Sequence, residues 1–139
     1  MQGRTVLVVE DEFFVAILIE DILQTAGFDV VIAGSSEEAI AQLASLPAAP
    51  IALITDIRLP DAIGWDVARR FRDIVPNIAV LYVSGDSGSE WQTQGVAGST
   101  FLQKPFNADT LTEAVREILP IRRAAIDAVT PAPQADAVE

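Results

Sequence analysis

Residues 7–14 read LVVEDEFF. Leu7, Val8 and Val9 close an apolar run that begins at Thr5, the pattern of a short strand buried on both faces. Glu10, Asp11 and Glu12 follow at once, and then two phenylalanines. Like charges repel, so an acidic cluster at the tip of a buried strand needs either solvent to disperse it or a cation to offset it.

The same grammar repeats along the chain. FDVVIA, IALITD, AVLYVSG and STFLQ read as four further strands. Between them, Glu12 to Thr25 has helical spacing that points Phe14, Leu18 and Ile22 to the core, with Gly27 as its stop. SSEEAIAQLAS opens on a capping serine and turns Ile40 and Leu43 inward. GWDVARRFRDI carries Val67 and Phe71 on one side and stops before Pro76. SEWQTQGVAG is a weak, glycine-interrupted helix, and ADTLTEAVREIL a strong amphipathic one with Asn107 as its cap. Apolar strands alternating with helices predict an α/β fold, a parallel sheet with helices on both faces. Residues 1–120 read as one domain. Residues 121–139 read as an extension, IRRAAIDAV as continuing helix and TPAPQADAVE as a disordered tail.

Composition removes several function classes. The 139 residues include no cysteine and no histidine, which excludes thiolate chemistry, a Ser-His-Asp triad and a phosphohistidine on this chain. The net charge of −11 disfavours nucleic-acid binding, which needs clustered cations. No apolar run is long enough to span a bilayer and no signal-peptide pattern opens the chain, so a cytoplasmic protein that does not act at a membrane is expected.

Ligands of open parallel sheets bind beyond the carboxyl ends of the strands. Those ends carry Glu10 and Asp11, Asp56, Ser84, and Lys104 followed by Pro105. Three carboxylates suit a hard cation such as Mg²⁺; a hydroxyl and an ammonium suit an anion beside it. Together they suggest a phosphoryl site with Asp56 as candidate nucleophile.

VLVVEDE, LITDIRLPDAIG, VLYVSGD and FLQKPF resemble the receiver domain of two-component response regulators, over residue 4 to about 120. The resemblance implies a doubly wound, flavodoxin-like (βα)5 fold with strand order 2-1-3-4-5. It implies that Asp56 is the phosphoacceptor, and that Mg²⁺ is held by Asp11 and Asp56, with Glu10 acting through water and Arg58 through its backbone carbonyl. It further implies that Ser84 bonds the phosphoryl oxygen, that Lys104 pairs with the acyl phosphate, that a cis bond precedes Pro105, and that Phe101 is a switch aromatic. The donor would be a sensor histidine kinase or a histidine phosphotransfer protein. With about twenty residues after the last helix and no output module among them, the chain reads as a single-domain regulator, monomer or weak dimer, acting on a downstream protein.

Two alternatives differ in class. A haloacid-dehalogenase-type phosphatase would need an acid two residues after the nucleophile, where Arg58 stands. A receiver-like binding module would dispense with phosphorylation, yet the chemical positions are all filled. Glu12 is expected to serve the first turn of its helix, where negative charge is favoured. Phe13 and Ile17 begin a second stripe on that helix, a candidate docking patch for the donor. Arg58 and Asp86 flank the expected path of a hydrolytic water with opposite charges, a candidate bridge that modulates the lifetime of the phosphorylated state.

Overall fold

The computed structural model describes residues 4–86 and 88–119. The readings of residues 121–139 as helix and tail fall outside them. Five strands, β1 (Thr5–Val9), β2 (Asp29–Ala33), β3 (Ala52–Asp56), β4 (Ala79–Ser84) and β5 (Thr100–Gln103), form one parallel sheet in the order β2-β1-β3-β4-β5. The helices are α1 (Phe13–Thr25), α2 (Ser36–Ser45), α3 (Gly64–Ile74), α4 (Trp91–Gln94) and α5 (Ala108–Ile118).

Two apolar layers hold the sheet between them. Val6, Val8, Ile54, Leu81 and Val83 face α1 and α5, where Ile19, Leu23, Leu111 and Val115 meet them. Leu7, Val9, Leu53, Val80 and Tyr82 face the other way, onto Ala39, Val67 and Phe71 of α2 and α3. This division follows from the period-two alternation of side chains along a strand. Trp65 and Tyr82 meet edge to face with centroids 4.7 Å apart, a preferred geometry for aromatic quadrupoles.

The phase of α1 differs from the expectation. Ala16, Ile19, Ile22 and Leu23 are buried, whereas Phe14 is 85% and Leu18 46% exposed. Residues 13–19, FFVAILI, are apolar at every position, so their spacing contains no phase information. The exit from β1 sets the phase instead. Glu12 takes the cap position, its carbonyl accepts from the Ala16 amide at 2.9 Å, and the small Ala16 side chain is buried. Phe13 and Phe14 stand outward together, edge to face at 5.6 Å.

The caps of α2 and α5 form as read. Ser35 accepts from the Glu38 amide, and Asn107 and Thr110 cap one another reciprocally, an arrangement that contributes about 1 kcal/mol per cap. The weak fourth helix is a single turn, preceded by a 3-10 turn over Gly88–Glu90. The connection after it is fastened to α3 and β4: Arg69 donates to the Gln94 carbonyl, Arg72 to the Ala97 carbonyl, and the Tyr82 hydroxyl accepts from the Val96 amide.

Candidate functional site

Strand register assembles the site. Val9 lies opposite Thr55, so the next residues, Glu10 and Asp56, are neighbours across β1 and β3. Asp56 lies opposite Val83, and Ser84 opposite Gln103, so Ser84 and Lys104 each emerge one step further along the same edge. The Lys104 amide continues the ladder to the Ser84 carbonyl at 2.9 Å, and the Lys104–Pro105 peptide is cis.

Carboxylate oxygens of Glu10, Asp11 and Asp56 lie within 4.8 Å of one another. A single ammonium faces them: Lys104 Nζ is 3.0 Å from Glu10 Oε1, 3.2 Å from Asp56 Oδ2 and 3.5 Å from Glu12 Oε1. Glu12 stands at the N-cap of α1, where its charge was expected, but its side chain reaches toward the lysine and makes no cap hydrogen bond. Asp56 Oδ1 accepts from the Ile57 amide at 2.7 Å, which leaves Oδ2 turned to Lys104.

The charges do not balance. Burial pushes the Glu10 carboxyl above its ordinary value, and the Asp56 charge adds to this against the Glu12 amide and Lys104. Burial acts on Lys104 in the opposite sense, but Glu10 and Asp56 outweigh it and hold the ammonium above its ordinary value. Lys104 is thereby favoured as the cation of the site, while burial disfavours the charged form of Glu10. Its Oε1 is buried and, although close to Nζ, has no aligned hydrogen-bond donor. An under-satisfied buried oxygen among three hard carboxylates fits a hard divalent cation. Glu10, Asp11 and Asp56 are the residues that could hold it.

The hydroxyl side is joined to the candidate bridge. Arg58 Nε and Ser84 Oγ each lie 3.4 Å from the same Asp86 oxygen, Oδ1. Arg58 and Asp86 side chains are 74% and 63% exposed, so this is a solvated pair at the mouth of the site. Phe101 is half-buried on β5, with Gly88 against its ring. A Cβ at Gly88 would sit 3.0 Å from Phe101 Cε2. Phe13 and Ile17 are exposed on α1, and Phe14 and Leu18 widen their patch.

Two residues of this region were not singled out from sequence. A side chain on Gly64 would collide with the Asp56 carbonyl and come within 2.9 Å of Ile57 Cα. A glycine opening a helix is the signal for such a close approach. Asp61 accepts from the Ser36 and Glu37 amides of α2, and a contact across 25 residues leaves no local trace in sequence.

An open parallel sheet carrying this edge defines a flavodoxin-like protein with an acidic phosphoryl-type pocket. The family model for the response regulator receiver domain matches residues 6–116, and the chain belongs to that family. It is 31% identical over 120 residues to the probable transcriptional regulatory protein TcrX of Mycobacterium tuberculosis, covering 85% of this chain and 50% of TcrX. It is 27% identical over 119 residues to the chemotaxis protein CheY of Thermotoga maritima, covering 84% of this chain and 98% of CheY. The chain thus spans half the length of TcrX and nearly all of CheY. A solved response regulator receiver protein from Sinorhizobium medicae superposes with a TM-score of 0.80 at 38% identity, over 87% of this chain and 98% of that one. Receiver domains are phosphoacceptor signalling modules that bind Mg²⁺ at an acidic pocket and interact with histidine kinases or phosphotransfer proteins. Among the described residues no helix is long and apolar enough to cross a membrane.

The raised Glu10 carboxyl gives a pH dependence with a defined sign. The folded state holds this proton more tightly than the unfolded chain, so its contribution to metal-free stability is full below the ordinary value of 4.5 and is lost as pH rises through the folded value. At neutral pH the cluster is repulsive. Mg²⁺ at a hundred times its dissociation constant should add about 2.7 kcal/mol and several degrees to Tm. Asp11→Asn should raise the metal-free Tm and abolish the Mg²⁺ increment, as measured by calorimetry. A larger Mg²⁺ increment in Asp11→Asn than in wild type would contradict the assignment.

Proposed function

We propose that the protein takes a phosphoryl group onto Asp56 from a phosphohistidine of a partner kinase or phosphotransfer protein, and that the modified face then engages a downstream protein. An Asp56 oxygen attacks phosphorus, the P–N bond to the donor imidazole breaks, and the imidazole keeps the electron pair and takes a proton from solvent. The single observation carrying this reading is the position of Asp56. It is buried at the sheet edge with one oxygen fixed by the Ile57 amide and the other beside Lys104. In-line transfer requires positioning and charge neutralisation more than covalent assistance.

Lys104 would neutralise the entering phosphoryl oxygens, and Glu10, Asp11 and Asp56 would hold Mg²⁺, assisted by the Arg58 carbonyl. The cation supplies electrostatic stabilisation of the transferring group. Ser84 would leave Asp86 to donate to a phosphoryl oxygen, and Phe101 would repack into the space vacated as the loop carrying Gly88 moves; Phe101 has no hydroxyl, so this is a packing change alone. The chain is then the modified substrate of its partner and catalyses only its own phosphorylation and dephosphorylation. Incubation with acetyl phosphate and Mg²⁺ should retard wild type on a Phos-tag gel, leave Asp56→Ala unshifted, and phosphorylate Lys104→Ala at least tenfold more slowly. Equal phosphorylation in EDTA would refute the scheme.

The exposed α1 patch supports a docking role next to the acceptor. Phe13, Phe14, Ile17 and Leu18 together present more apolar surface than one stray side chain. Phe14→Ser with Leu18→Ser should shift Tm by no more than a few degrees, about what two surface substitutions cost, because neither side chain enters the core. The pair should slow transfer from a phosphorylated histidine phosphotransfer domain about tenfold, equivalent to ~1.4 kcal/mol, without slowing transfer from acetyl phosphate. Equal slowing with both donors would indicate a damaged site and not a lost contact.

The convergence of Arg58 and Ser84 on one Asp86 oxygen supports a role in signal lifetime. An exposed pair contributes only ~0–1 kcal/mol to stability, but a bridge across the mouth obstructs the approach of water. Arg58→Ala and Asp86→Ala should each hasten loss of the phosphoryl group, and the double variant should be no faster than either one. Additive acceleration in a Phos-tag time course would show two independent side chains.

A further inference from the structure

We infer that Asp61 is a positioning residue for the phosphoacceptor loop, acting by fastening that loop to the start of α2. The inference rests on the proposed roles of Asp56 and the Arg58 carbonyl. Asp61 lies in the segment joining β3 to α3, five residues after Asp56. Its two oxygens accept separate hydrogen bonds, Oδ1 from the Ser36 amide at 2.8 Å and Oδ2 from the Glu37 amide at 3.0 Å. A carboxylate receiving two backbone donors at a helix N-terminus is favoured by charge-assisted bonding and by the helix dipole. In keeping with this, the Ser36 and Glu37 amides hold the Asp61 carboxyl below its ordinary value.

The contact serves the loop more than the helix. α2 already carries its own cap: Ser35 Oγ accepts from the Glu38 amide at 3.1 Å, and Glu38 Oε1 accepts from the Gly34 amide at 2.8 Å. The loop has less of its own. It closes through Leu59 amide to Ala62 carbonyl at 3.1 Å and Gly64 amide to Ile57 carbonyl at 2.7 Å, with Arg58 bridged to Ile63. On its outer side the Arg58 side chain pairs with the exposed Asp86. Asp61 ties the tip of this closed loop to a helix on a neighbouring connection, and Ser36, which receives the tie, is buried. The carbonyl of Arg58 lies three residues before the tie and two after Asp56. Rotation of the loop about its base would carry that carbonyl away from the carboxylate cluster. Holding the tip removes this freedom before any ligand arrives, which is how preorganisation raises affinity.

Ser35→Ala separates this role from simple helix capping, because it removes a cap from the same helix without touching the loop. Amide hydrogen exchange by NMR on the metal-free protein should show Leu59 and Gly64 losing protection about tenfold in Asp61→Ala and keeping it in Ser35→Ala. Calorimetric titration with MgCl₂ should give a dissociation constant about tenfold weaker for Asp61→Ala, unchanged for Ser35→Ala, and partly restored in Asp61→Asn, whose amide oxygen can still accept one bond. Wild-type protection at Leu59 and Gly64 in Asp61→Ala, or equal losses in Ser35→Ala, would overturn the inference. If wild type itself bound no Mg²⁺, the phosphoryl reading would fail, and the exchange data would still decide whether Asp61 holds the loop.

Discussion

One ammonium facing a surplus of carboxylates is the constraint on which this molecule turns. Lys104 lies within 3.5 Å of Glu10, Glu12 and Asp56, and Asp11 adds another negative charge beside them. A fold under no functional demand would neutralise such a cluster or open it to water. Here the sheet denies Glu10 and Asp56 that access to water, whereas Asp11 and Glu12 are exposed. Glu10 and Asp56 are buried at the ends of strands whose register is fixed by two apolar layers. The repulsion is therefore retained by the packing of residues far from the site, and a cation or an arriving phosphoryl group with its cation changes that balance directly.

That dependence explains why much of the site was legible in sequence. A parallel sheet requires near-continuous apolar strands, and the residue that ends each run must lie on the common edge. Reading Glu10, Asp11, Asp56, Ser84 and Lys104 as strand ends was enough to bring them together. The structure does assemble Glu10, Asp11, Asp56 and Lys104, with Ser84 on the adjacent strand end. The caps of α2 and α5 were equally legible, because capping chemistry is local.

The remainder was hidden for physical reasons. The orientation of α1 could not be read from FFVAILI, since an all-apolar segment satisfies every helical phase; only the path of the chain out of β1 selects Ala16 and Ile19 for the core. As a result Phe14 and Leu18 join Phe13 and Ile17 in one exposed patch beside the acidic edge. Asp61 was invisible for a different reason: its partners are two backbone amides on a separate connection, and backbone donors leave no residue signature. The single turn of α4 matches the weakness of its sequence, and Arg69, Arg72 and Tyr82 fasten its end and the connection after it, through contacts that no local pattern announces.

The most direct test of the charge account is the titration of the Glu10 side chain, followed through its carboxyl carbon by NMR with and without Mg²⁺. In metal-free protein Glu10 should lose its proton above the ordinary glutamate value, and saturating Mg²⁺ should move that transition downward. A Glu10 that titrates at or below its ordinary value, unmoved by Mg²⁺, would contradict the claim that this edge is built around an unmet negative charge.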